Sequence, residues 1–451
     1  KLTLCFGDTM QNSRRYTPTN SKIFTWLVRN TYGRIIRGLY NAKSPGKALA
    51  ESLKPPYVLV SNHAMLLDPL MINAFVPQPI HWVASDGNMR TPIMRFLLIK
   101  LVGSIPKSKA IPDIKTVNWI VNIIRKKKGV VGFFPEGQTS WNGSNISAYG
   151  STAKLIKLLK VPVLGVVIKG GYLSKPRWSY VRRKGRLELD FRVIFAPEEL
   201  KTLTIPEIDR RLNIEITHDD PLWANSLGLR FTNPRRAEKL ELALFVCPSC
   251  GKIATLHSEG TVLACRECGM SAEFGEDAHF RFSGGGLPME SWVAAGSASP
   301  EHFFDRIIDW DRWQESFLKM TLNKEMESDS PEAQPAGAVA EPFMVDYDAT
   351  LLRGRRMERM KSLGKGKLSL SRETLRFEPE NGEVLDFSVK KIEGAGVLKW
   401  NFFEFYVGMA VYRVRFAEKF TSGRKWAVAL DILTDLHREH AGRTPSFEDP
   451  S

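Results

Sequence analysis

The sequence has no hydrophobic run long enough to cross a membrane. A transmembrane helix needs about 20 mostly apolar residues. The densest apolar stretch, Phe96 to Val102, is much shorter and contains Lys100. Any contact with a membrane is therefore expected to be peripheral. Because the sequence starts at Lys1 rather than at methionine, we expect either the true amino terminus or a targeting segment to be missing from it.

Cysteine is also scarce, with 5 in 451 residues. Four of them form two Cys-x-x-Cys pairs, Cys247 with Cys250 and Cys265 with Cys268, whereas Cys5 stands alone. This pattern favours metal binding in a reducing compartment over a secreted disulfide framework. Two such pairs separated by a hairpin-length insert can present four thiolates tetrahedrally to zinc. We predict a zinc ribbon whose closed site is structural.

Acidic residues are few in the first half of the chain. Residues 1–240 contain 38 Lys and Arg against 16 Asp and Glu, a balance of +22. Residues 241–451 contain 26 and 33, a balance of −7. A basic face of this size favours an anionic partner, which is a phospholipid surface, a phosphorylated substrate or a nucleic acid. Charge alone does not choose among them.

Residues 22 to 40 carry a basic amphipathic pattern. The apolar positions are Ile23, Phe24, Trp26, Leu27, Ile35, Ile36, Leu39 and Tyr40, and the basic ones are Lys22, Arg29, Arg34 and Arg37. A helix of this kind can lie in the headgroup region with its cations toward anionic lipid. The alternative is an ordinary helix that packs its apolar side against the domain. Both readings stay open at this point.

From Tyr57 to about Phe195, short apolar runs alternate with helical patterns. The predicted strands are Tyr57 to Ser61, Ile80 to Ala84, Val130 to Phe134, Val163 to Ile168 and Leu187 to Phe195. Between them, Ile114 to Lys128 has apolar residues at helical spacing and a basic last turn. This alternation predicts an α/β domain with a mostly parallel sheet.

The first strand ends in a polar turn that contains Asn62, His63 and Asp68. Open α/β sheets usually carry their chemistry at the carboxyl edge of the strands, so His63 is a candidate catalytic base. Asp68 precedes Pro69 and is predicted to cap the helix that starts there. A loop can fold the Asp68 carboxylate back onto a ring nitrogen of His63. The alternative is a surface histidine beside a capping aspartate.

The strand Val130 to Phe134 also ends in a polar turn, which contains Pro135, Glu136 and Gly137. Parallel strands that finish at the same edge of a sheet bring the residues after them together. We therefore expect Glu136 and the backbone of residues 137–140 to lie near His63.

These motifs resemble a known family. They are Asn62, His63 and Asp68 in the pattern Asn-His-x-x-x-x-Asp, the run Phe134-Pro135-Glu136-Gly137, the run Val161-Pro162-Val163, and the region of Gly103, Ile105, Pro106 and Lys109. In this order and spacing they resemble the glycerolipid acyltransferase family, which is PlsC-like and includes lysophosphatidic acid acyltransferases. The resemblance covers about residues 20 to 215.

The resemblance implies transfer of a fatty acyl group from acyl-CoA or acyl-carrier protein to a hydroxyl of a lysophospholipid or glycerol phosphate. His63 would then be the general base, with Asp68 orienting it and no covalent acyl-enzyme required. The implied substrate-binding residues are Asn62, Lys109, Pro135, Glu136 and Gly137. Glu136 is expected to bind an acceptor hydroxyl or to brace the turn. Backbone donors near Gly137 or after Asn62 are expected to stabilise the oxyanion.

The sequence departs from the family pattern at two positions. Thr139 and Lys109 stand where the family usually has arginine, and neither supplies a guanidinium fork for a phosphate. Lys109 is our candidate phosphate contact, helped by Arg90 or Lys154. The acceptor headgroup therefore stays open.

The remaining sequence predicts accessory modules. Gly366 to Ala417 alternates in the manner of strands and is followed by a helix at about Arg424 to His440, an order similar to a pleckstrin-homology (PH) or GRAM-like domain. The predicted divisions are 1–56 (basic amphipathic membrane-contact region), 57–240 (acyltransferase core), 241–285 (zinc ribbon), 286–327 (helical connector, with a helix from Ser299-Pro300 to about Lys324), 328–342 (flexible linker), 343–441 (PH/GRAM-like module) and 442–451 (disordered tail).

Three functions are compatible with these features. The first is an acyltransferase located in the cytoplasm and bound peripherally to the inner face of the membrane. The second is a catalytically inactive lipid-binding scaffold. The third is a nucleic-acid binder, but the acidic residues of the ribbon and the lack of an interleaved aromatic and basic motif oppose it. No nucleic-acid partner is expected.

Overall fold

The structure is a computed structural model that describes residues 18–108, 113–284, 304–328, 342–418 and 421–440. It contains two compact units. The first holds the described residues up to Arg177 together with Arg182–Asn233, and the second holds Trp178–Val181 and the described residues from Pro234 onward. Lys109, Ser299-Pro300, the predicted linker apart from its two end residues, and the predicted tail lie outside the described residues.

The first unit is an α/β domain. Its helices are α1 (Lys22–Asn30), α2 (Tyr32–Leu39), α3 (Lys47–Ser52), α4 (Asp68–Asn73), α5 (Pro92–Phe96), α6 (Ile114–Arg125), α7 (Ser151–Leu159), α8 (Gly171–Ser174), α9 (Glu199–Thr202), α10 (Ile205–Ile216) and α11 (Asp220–Ser226). Its strands are β1 (Ala42–Lys43), β2 (Tyr57–Ser61), β3 (Ile80–Ser85), β4 (Ile105–Lys107), β5 (Val130–Phe133), β6 (Val163–Lys169) and β7 (Leu187–Phe195). The five strands predicted from the sequence are confirmed.

The seven strands form one mixed sheet in the order β1-β7-β6-β2-β5-β3-β4. The pairs from β6 through β2, β5 and β3 to β4 are parallel, whereas β7 runs antiparallel to β6. All five residues of β2 are buried, as expected for a central strand covered on both faces. The sheet therefore agrees with the mostly parallel prediction except at the edge formed by β7 and β1.

The described part of the predicted membrane-contact region contributes to this sheet, because β1 pairs in parallel with β7. The predicted amphipathic helix is two helices that break at Thr31, whose backbone leaves the helical region with φ −103° and ψ −82°. Helix α1 has no buried residue. Helix α2 buries Ile36 but leaves Ile35 and Leu39 exposed, so each of the two sequence readings describes part of this region.

Helix α6 ends at Arg125, three residues before the predicted end. It begins at a side-chain cap, because Oδ1 of Asp113 accepts a hydrogen bond from the Thr116 N–H. The chain turns out of the helix where Lys128 adopts a positive φ of 50°. The lysine run therefore follows the helix instead of forming its last turn.

The second unit contains two antiparallel sheets and two long helices. The first sheet has β8 (Leu256–Glu259), β9 (Val262–Cys265), β10 (Ser271–Phe274) and β11 (Phe280–Gly284) in the order β11-β10-β9-β8, and the helices are α12 (Ile307–Ser328) and α13 (Gly423–His440). The second sheet has β12 (Met344–Gly354), β13 (Lys361–Leu370), β14 (Thr374–Pro379), β15 (Leu385–Ser388), β16 (Gly394–Leu398), β17 (Phe402–Val407) and β18 (Ala410–Arg415) in the order β15-β14-β13-β12-β18-β17-β16. Strands followed by one helix are the predicted order of elements.

Buried polar contacts join the parts of the second unit. The side chain of Arg424 on α13 forms a buried ion pair with Asp311 on α12 and donates to the Ala243 carbonyl. The side chain of Gln314 accepts a hydrogen bond from the Phe245 N–H and donates one to the Ala243 carbonyl. Such contacts keep charged and polar groups satisfied away from water. None of the helices among the described residues has the length and apolar content needed to cross a membrane.

Candidate active site

The site lies where β2 and β5 end. In the parallel register of these strands, Val60 pairs with Phe133, and His63 and Glu136 each follow three residues later. The Glu136 carboxylate accepts a hydrogen bond from the His63 N–H at 2.8 Å, and the His63 carbonyl accepts one from the Ser140 N–H at 3.1 Å. The predicted proximity of Glu136 and residues 137–140 to His63 is therefore confirmed.

His63 and Asp68 form a hydrogen-bonded pair. Nδ1 of His63 lies 2.8 Å from Oδ2 of Asp68, and the same oxygen accepts a hydrogen bond from the Met65 N–H at 2.9 Å. Asp68 is the first residue of α4 and not its cap, because Leu67 occupies the cap position and Asp68 directs its side chain back toward the loop. Burial raises the pKa of Asp68, while its hydrogen bond with His63 acts in the opposite direction.

Aromatic stacking fixes the orientation of the imidazole. The ring of His63 stacks on Phe134 with centroids 4.0 Å apart, and Phe134 stacks on Trp82 at 5.2 Å. The His63 side chain is 17% exposed, so it is held in place yet reachable from solvent. With Nδ1 engaged by Asp68, Nε2 is the nitrogen that can take a proton from a substrate.

Glu136 is buried and binds three donors of the chain. Oε1 accepts hydrogen bonds from the His63 N–H and from Nδ2 of Asn145, and Oε2 accepts one from the Ile146 N–H. Burial raises the pKa of Glu136, and these hydrogen bonds oppose that effect. This geometry favours the bracing role that the sequence left open for Glu136 over contact with an acceptor hydroxyl.

The other described residues expected to bind substrate also make contacts within the chain. The Asn62 amide exchanges two hydrogen bonds with the backbone of Ile168 on β6, at 2.7 and 2.9 Å. The Pro135 carbonyl accepts a hydrogen bond from the Tyr149 N–H. Gly137, with φ +70°, closes the turn by donating its N–H to the Phe134 carbonyl.

Two of the backbone groups expected to act as oxyanion donors are already used within the chain. Both the Gly137 N–H and the His63 N–H, which is the first donor after Asn62, already hydrogen-bond within the chain. Both hydrogen bonds help to form the arrangement in which Glu136 lies next to His63. These two groups are therefore not available as oxyanion donors in this conformation.

His63 lines a small recess in the first unit that is open to solvent. Its lining residues are Asn62, His63, Ala64, Glu136, Ser140, Gly143, Ser144, Asn145, Tyr172, His218 and Asp220. No lysine or arginine belongs to this described lining. Of the predicted phosphate contacts, Arg90 is buried elsewhere and Lys154 is exposed on α7. Thr139 is buried, and its carbonyl accepts a hydrogen bond from Arg177.

His218 and Asp220 were not found from the sequence. Nε2 of His218 lies 3.0 Å from Oδ1 of Asp220. The Asp220 carboxylate also accepts hydrogen bonds from the Gly170 and Tyr172 N–H groups at 2.6 and 2.8 Å. The run His218-Asp219-Asp220-Pro221 is typical of a helix start, so nothing in it points to a shared site with His63. The fold, not the spacing, brings it to the recess.

The second unit holds a cluster of four cysteines. The Sγ atoms of Cys247, Cys250, Cys265 and Cys268 all lie within 4.8 Å of one another. Two of the Sγ pairs are 3.7 and 3.8 Å apart. The β8–β9 hairpin forms the predicted insert between the two Cys-x-x-Cys motifs. These sulfurs could hold a metal ion.

Comparison with known proteins gives a family match to part of the first unit. Residues 36–169 match the family model described as Acyltransferase. This range contains His63, Asp68 and Glu136 and ends with β6. The match supports an acyltransferase-family domain within the first unit. No curated protein gave a significant match.

Two solved structures show limited similarity. The crystal structure of the 1-acyl-sn-glycerophosphate (LPA) acyltransferase PlsC from Thermotoga maritima is 17% identical, with 46% of this chain and 81% of that chain covered and a TM-score of 0.38. A chain of the structure described as "The 8S snRNP Assembly Intermediate" is 13% identical, with 26% and 95% covered and a TM-score of 0.19. Because both TM-scores are low, neither similarity carries a conclusion about this chain.

Proposed function

We propose that the protein transfers a fatty acyl group from acyl-CoA or acyl-carrier protein to a hydroxyl of a lysophospholipid or glycerol phosphate. The observation that carries this proposal is the His63–Asp68 pair, 2.8 Å apart and open to a recess, inside a range that matches the acyltransferase family model. A buried carboxylate that accepts Nδ1–H leaves Nε2 as the basic nitrogen.

The proposed reaction has one acyl-transfer step. Nε2 of His63 takes the proton of the acceptor hydroxyl while the hydroxyl oxygen attacks the thioester carbonyl. The carbon–sulfur bond then breaks, and the departing thiolate receives the proton from His63. The Asp68 carboxylate stabilises the imidazolium that exists between these two transfers. A thioester is already electrophilic, so no covalent acyl-enzyme is needed.

The test is an acyl-transfer assay with the full chain. Labelled acyl-CoA and acyl-carrier protein are each incubated with a panel of lysophospholipids and glycerol phosphate. We expect at least one pair to react and His63→Ala to reduce kcat by about 100-fold or more, the range that general base catalysis supplies. His257→Ala, in the second unit, is the control and should react like the wild type. Equal turnover by His63→Ala would contradict the proposal.

A catalytically inactive lipid-binding scaffold is the second candidate. Two observations favour it. The described recess lining contains no lysine or arginine, and Thr139 stands at a position where glycerolipid acyltransferases usually have arginine. The same assay separates the two candidates. Lysolipid binding without transfer from any donor would favour the scaffold.

We also propose peripheral membrane contact through α1, α2 and α5. Large apolar side chains on these helices face solvent, with 80% exposure at Ile23, 64% at Trp26, 64% at Ile35 and 74% at Ile93. The basic residues of α1 and α2 complement anionic lipid, each contributing about 1 kcal/mol near the surface. Such a surface would hold the enzyme at the cytoplasmic face of a membrane, where lysolipid acceptors reside.

Vesicle co-sedimentation tests the membrane proposal. The wild type should bind vesicles that contain phosphatidylglycerol more strongly than vesicles of phosphatidylcholine alone. Trp26→Ser with Ile35→Ser should weaken binding about tenfold or more because both apolar anchors are lost. Ile214→Ser, which changes an equally exposed residue on α10, is the matched control. Equal binding by all three proteins would contradict the proposal.

For the cysteine cluster we propose a structural zinc ion. Four thiolates at about 2.3 Å from a tetrahedral zinc lie about 3.8 Å from one another, which agrees with the Sγ pairs at 3.7 and 3.8 Å. When bound, zinc would cross-link the two motifs and stabilise the β8–β9 hairpin. Metal analysis should find one zinc per chain, and none after Cys247→Ser with Cys265→Ser. Full folding stability in the metal-free protein would contradict the structural role.

For residues 343–441 we propose a PH/GRAM-like module, supported by seven antiparallel strands followed by α13. The end of β12, the turn after it and the start of β13 carry five basic residues, Arg353, Arg355, Arg356, Arg359 and Lys361. A basic loop of this kind suits an anionic lipid headgroup. Binding of the full chain to vesicles with and without phosphoinositide, compared with a variant in which these residues are Ser, tests this assignment.

A further inference from the structure

We propose that His218 contacts the acceptor by hydrogen-bonding its reacting glycerol hydroxyl, so that this hydroxyl is aligned with His63. This inference rests on the proposed acyl transfer and adds a specificity-determining residue to it. His218 lies outside residues 36–169, the range of the family match. It nevertheless lines the same recess as His63.

The ring of His218 is packed in place, but its Nε2 atom has no aligned hydrogen bond. Its side chain is 11% exposed, and it packs edge-on against Trp223 with ring centroids 5.8 Å apart. Nε2 is buried, and it lies 3.0 Å from Oδ1 of Asp220 without forming an aligned hydrogen bond. A buried polar atom of this kind costs free energy until a partner reaches it. A ligand that enters the recess can supply that partner for Nε2.

A continuous set of hydrogen bonds connects the two histidines. Oδ1 of Asn145 accepts a hydrogen bond from the His218 N–H at 2.6 Å, and Nδ2 of Asn145 donates to Oε1 of Glu136. That oxygen of Glu136 also accepts the His63 N–H at 2.8 Å. Glu136 and Asn145 therefore hold the backbones of both histidines in a fixed relation. Fixed positions of the base and of a second substrate contact are what orientation in catalysis requires.

The chemistry of the recess selects an uncharged group. Its charged residues other than the histidines are Glu136 and Asp220, and no lysine or arginine belongs to the described lining. Both carboxylates accept backbone N–H groups, so they are compensated by the chain. With Asp220 3.0 Å from the ring, a phosphate beside His218 would meet a like charge. A hydroxyl both donates and accepts, so it can bind an imidazole in either tautomer.

The hydrogen bonds that shape the chain around His218 are made by Asp220 and not by the His218 ring. Its carboxylate accepts the Gly170 and Tyr172 N–H groups at the start of α8 and lies at the start of α11. None of these hydrogen bonds involves the His218 ring. Removal of the ring should therefore change acceptor binding and keep these hydrogen bonds of Asp220.

The experiment measures binding and turnover in parallel. Binding of 1-hexanoylglycerol 3-phosphate and of 1-hexanoylglycerol, both below their micelle concentrations, is measured by calorimetry with His63→Ala and with His63→Ala/His218→Ala. Turnover of both acceptors is measured with wild type, His218→Ala, His218→Gln and the matched control Leu222→Ala, which changes an exposed residue of α11. Melting temperatures are recorded for all variants.

We expect His218→Ala to raise the acceptor KM about tenfold for both acceptors with the donor KM unchanged, while the melting temperature falls because the ring packs against Trp223. His218→Gln should recover part of this loss because its amide can still bind a hydroxyl. Unchanged acceptor binding and KM would overturn the assignment, as would a loss confined to the phosphate-bearing acceptor. If His63→Ala binds neither acceptor and the wild type transfers no acyl group, the proposed function itself has failed. Binding without transfer, lost in the double variant, would support the contact independently of turnover.

Discussion

Replacement of Asp68 by asparagine should separate activity from stability. The Asp68 carboxylate is fully buried and holds Nδ1 of His63 at 2.8 Å. A hydrogen bond to a charged group contributes about 1.5–3 kcal/mol. If that interaction is lost where the imidazolium forms, kcat should fall about 10- to 150-fold, since each 1.36 kcal/mol is a factor of ten. Asparagine can still accept the Met65 N–H, so the loop should keep its conformation.

As pH rises, Asp68→Asn should gain folding stability relative to the wild type. Burial raises the pKa of Asp68 above its ordinary value of 3.8. An acid with a raised folded-state pKa retains its proton in the folded state, so it costs stability as pH rises from the unfolded to the folded pKa. Asparagine carries no such cost. The unfolding free energy of Asp68→Asn, relative to wild type, should therefore be higher at pH 7 than at pH 3.5.

Urea unfolding at the two pH values and steady-state kinetics at pH 7 check this prediction. Asp86→Asn is the control, because Asp86 is also buried, accepts a hydrogen bond from Ser108, and does not line the recess. It should leave kcat near the wild-type value. The reasoning is refuted if Asp68→Asn keeps full activity. It is refuted equally if the loss of activity is matched by a large loss of folding stability at pH 7.

Three further substitutions test the contacts that build the two units. Asn62→Leu should lower the unfolding free energy by about 3 kcal/mol, because it leaves the buried N–H and carbonyl of Ile168 unpaired. An unchanged midpoint of urea unfolding would contradict this prediction. Gly137→Ala should lower the unfolding free energy by about 1–3 kcal/mol, because φ is +70° and a methyl group would lie 2.6 Å from a ring carbon of Tyr149. Wild-type stability of this variant would contradict the prediction. Arg424→Met should destabilise the second unit by about 3–5 kcal/mol because Asp311 stays buried without its partner, and Arg424→Met with Asp311→Leu should recover most of the loss in thermal unfolding.

Local pattern determined much of the secondary structure. β2 begins and ends where its apolar and β-branched run does, because a strand buried on both faces needs such a run. β7, in which apolar residues alternate with Glu188, Asp190 and Arg192, also has the predicted ends. Errors lie at element ends, where single side chains decide. Asp68 became the first residue of α4 because its carboxylate binds His63 and Met65 instead of capping.

The sequence by itself predicted the pairing of His63 with Asp68 and the grouping of the four cysteines, because residues a few positions apart in the chain have few ways to be placed. Only the tertiary structure decided which side chains share the recess. Asn145 and His218 reach it from a long loop and from the start of α11, and no local periodicity encodes where such segments meet. Their place depends on how the helices pack against the sheet, which is a property of long-range contacts.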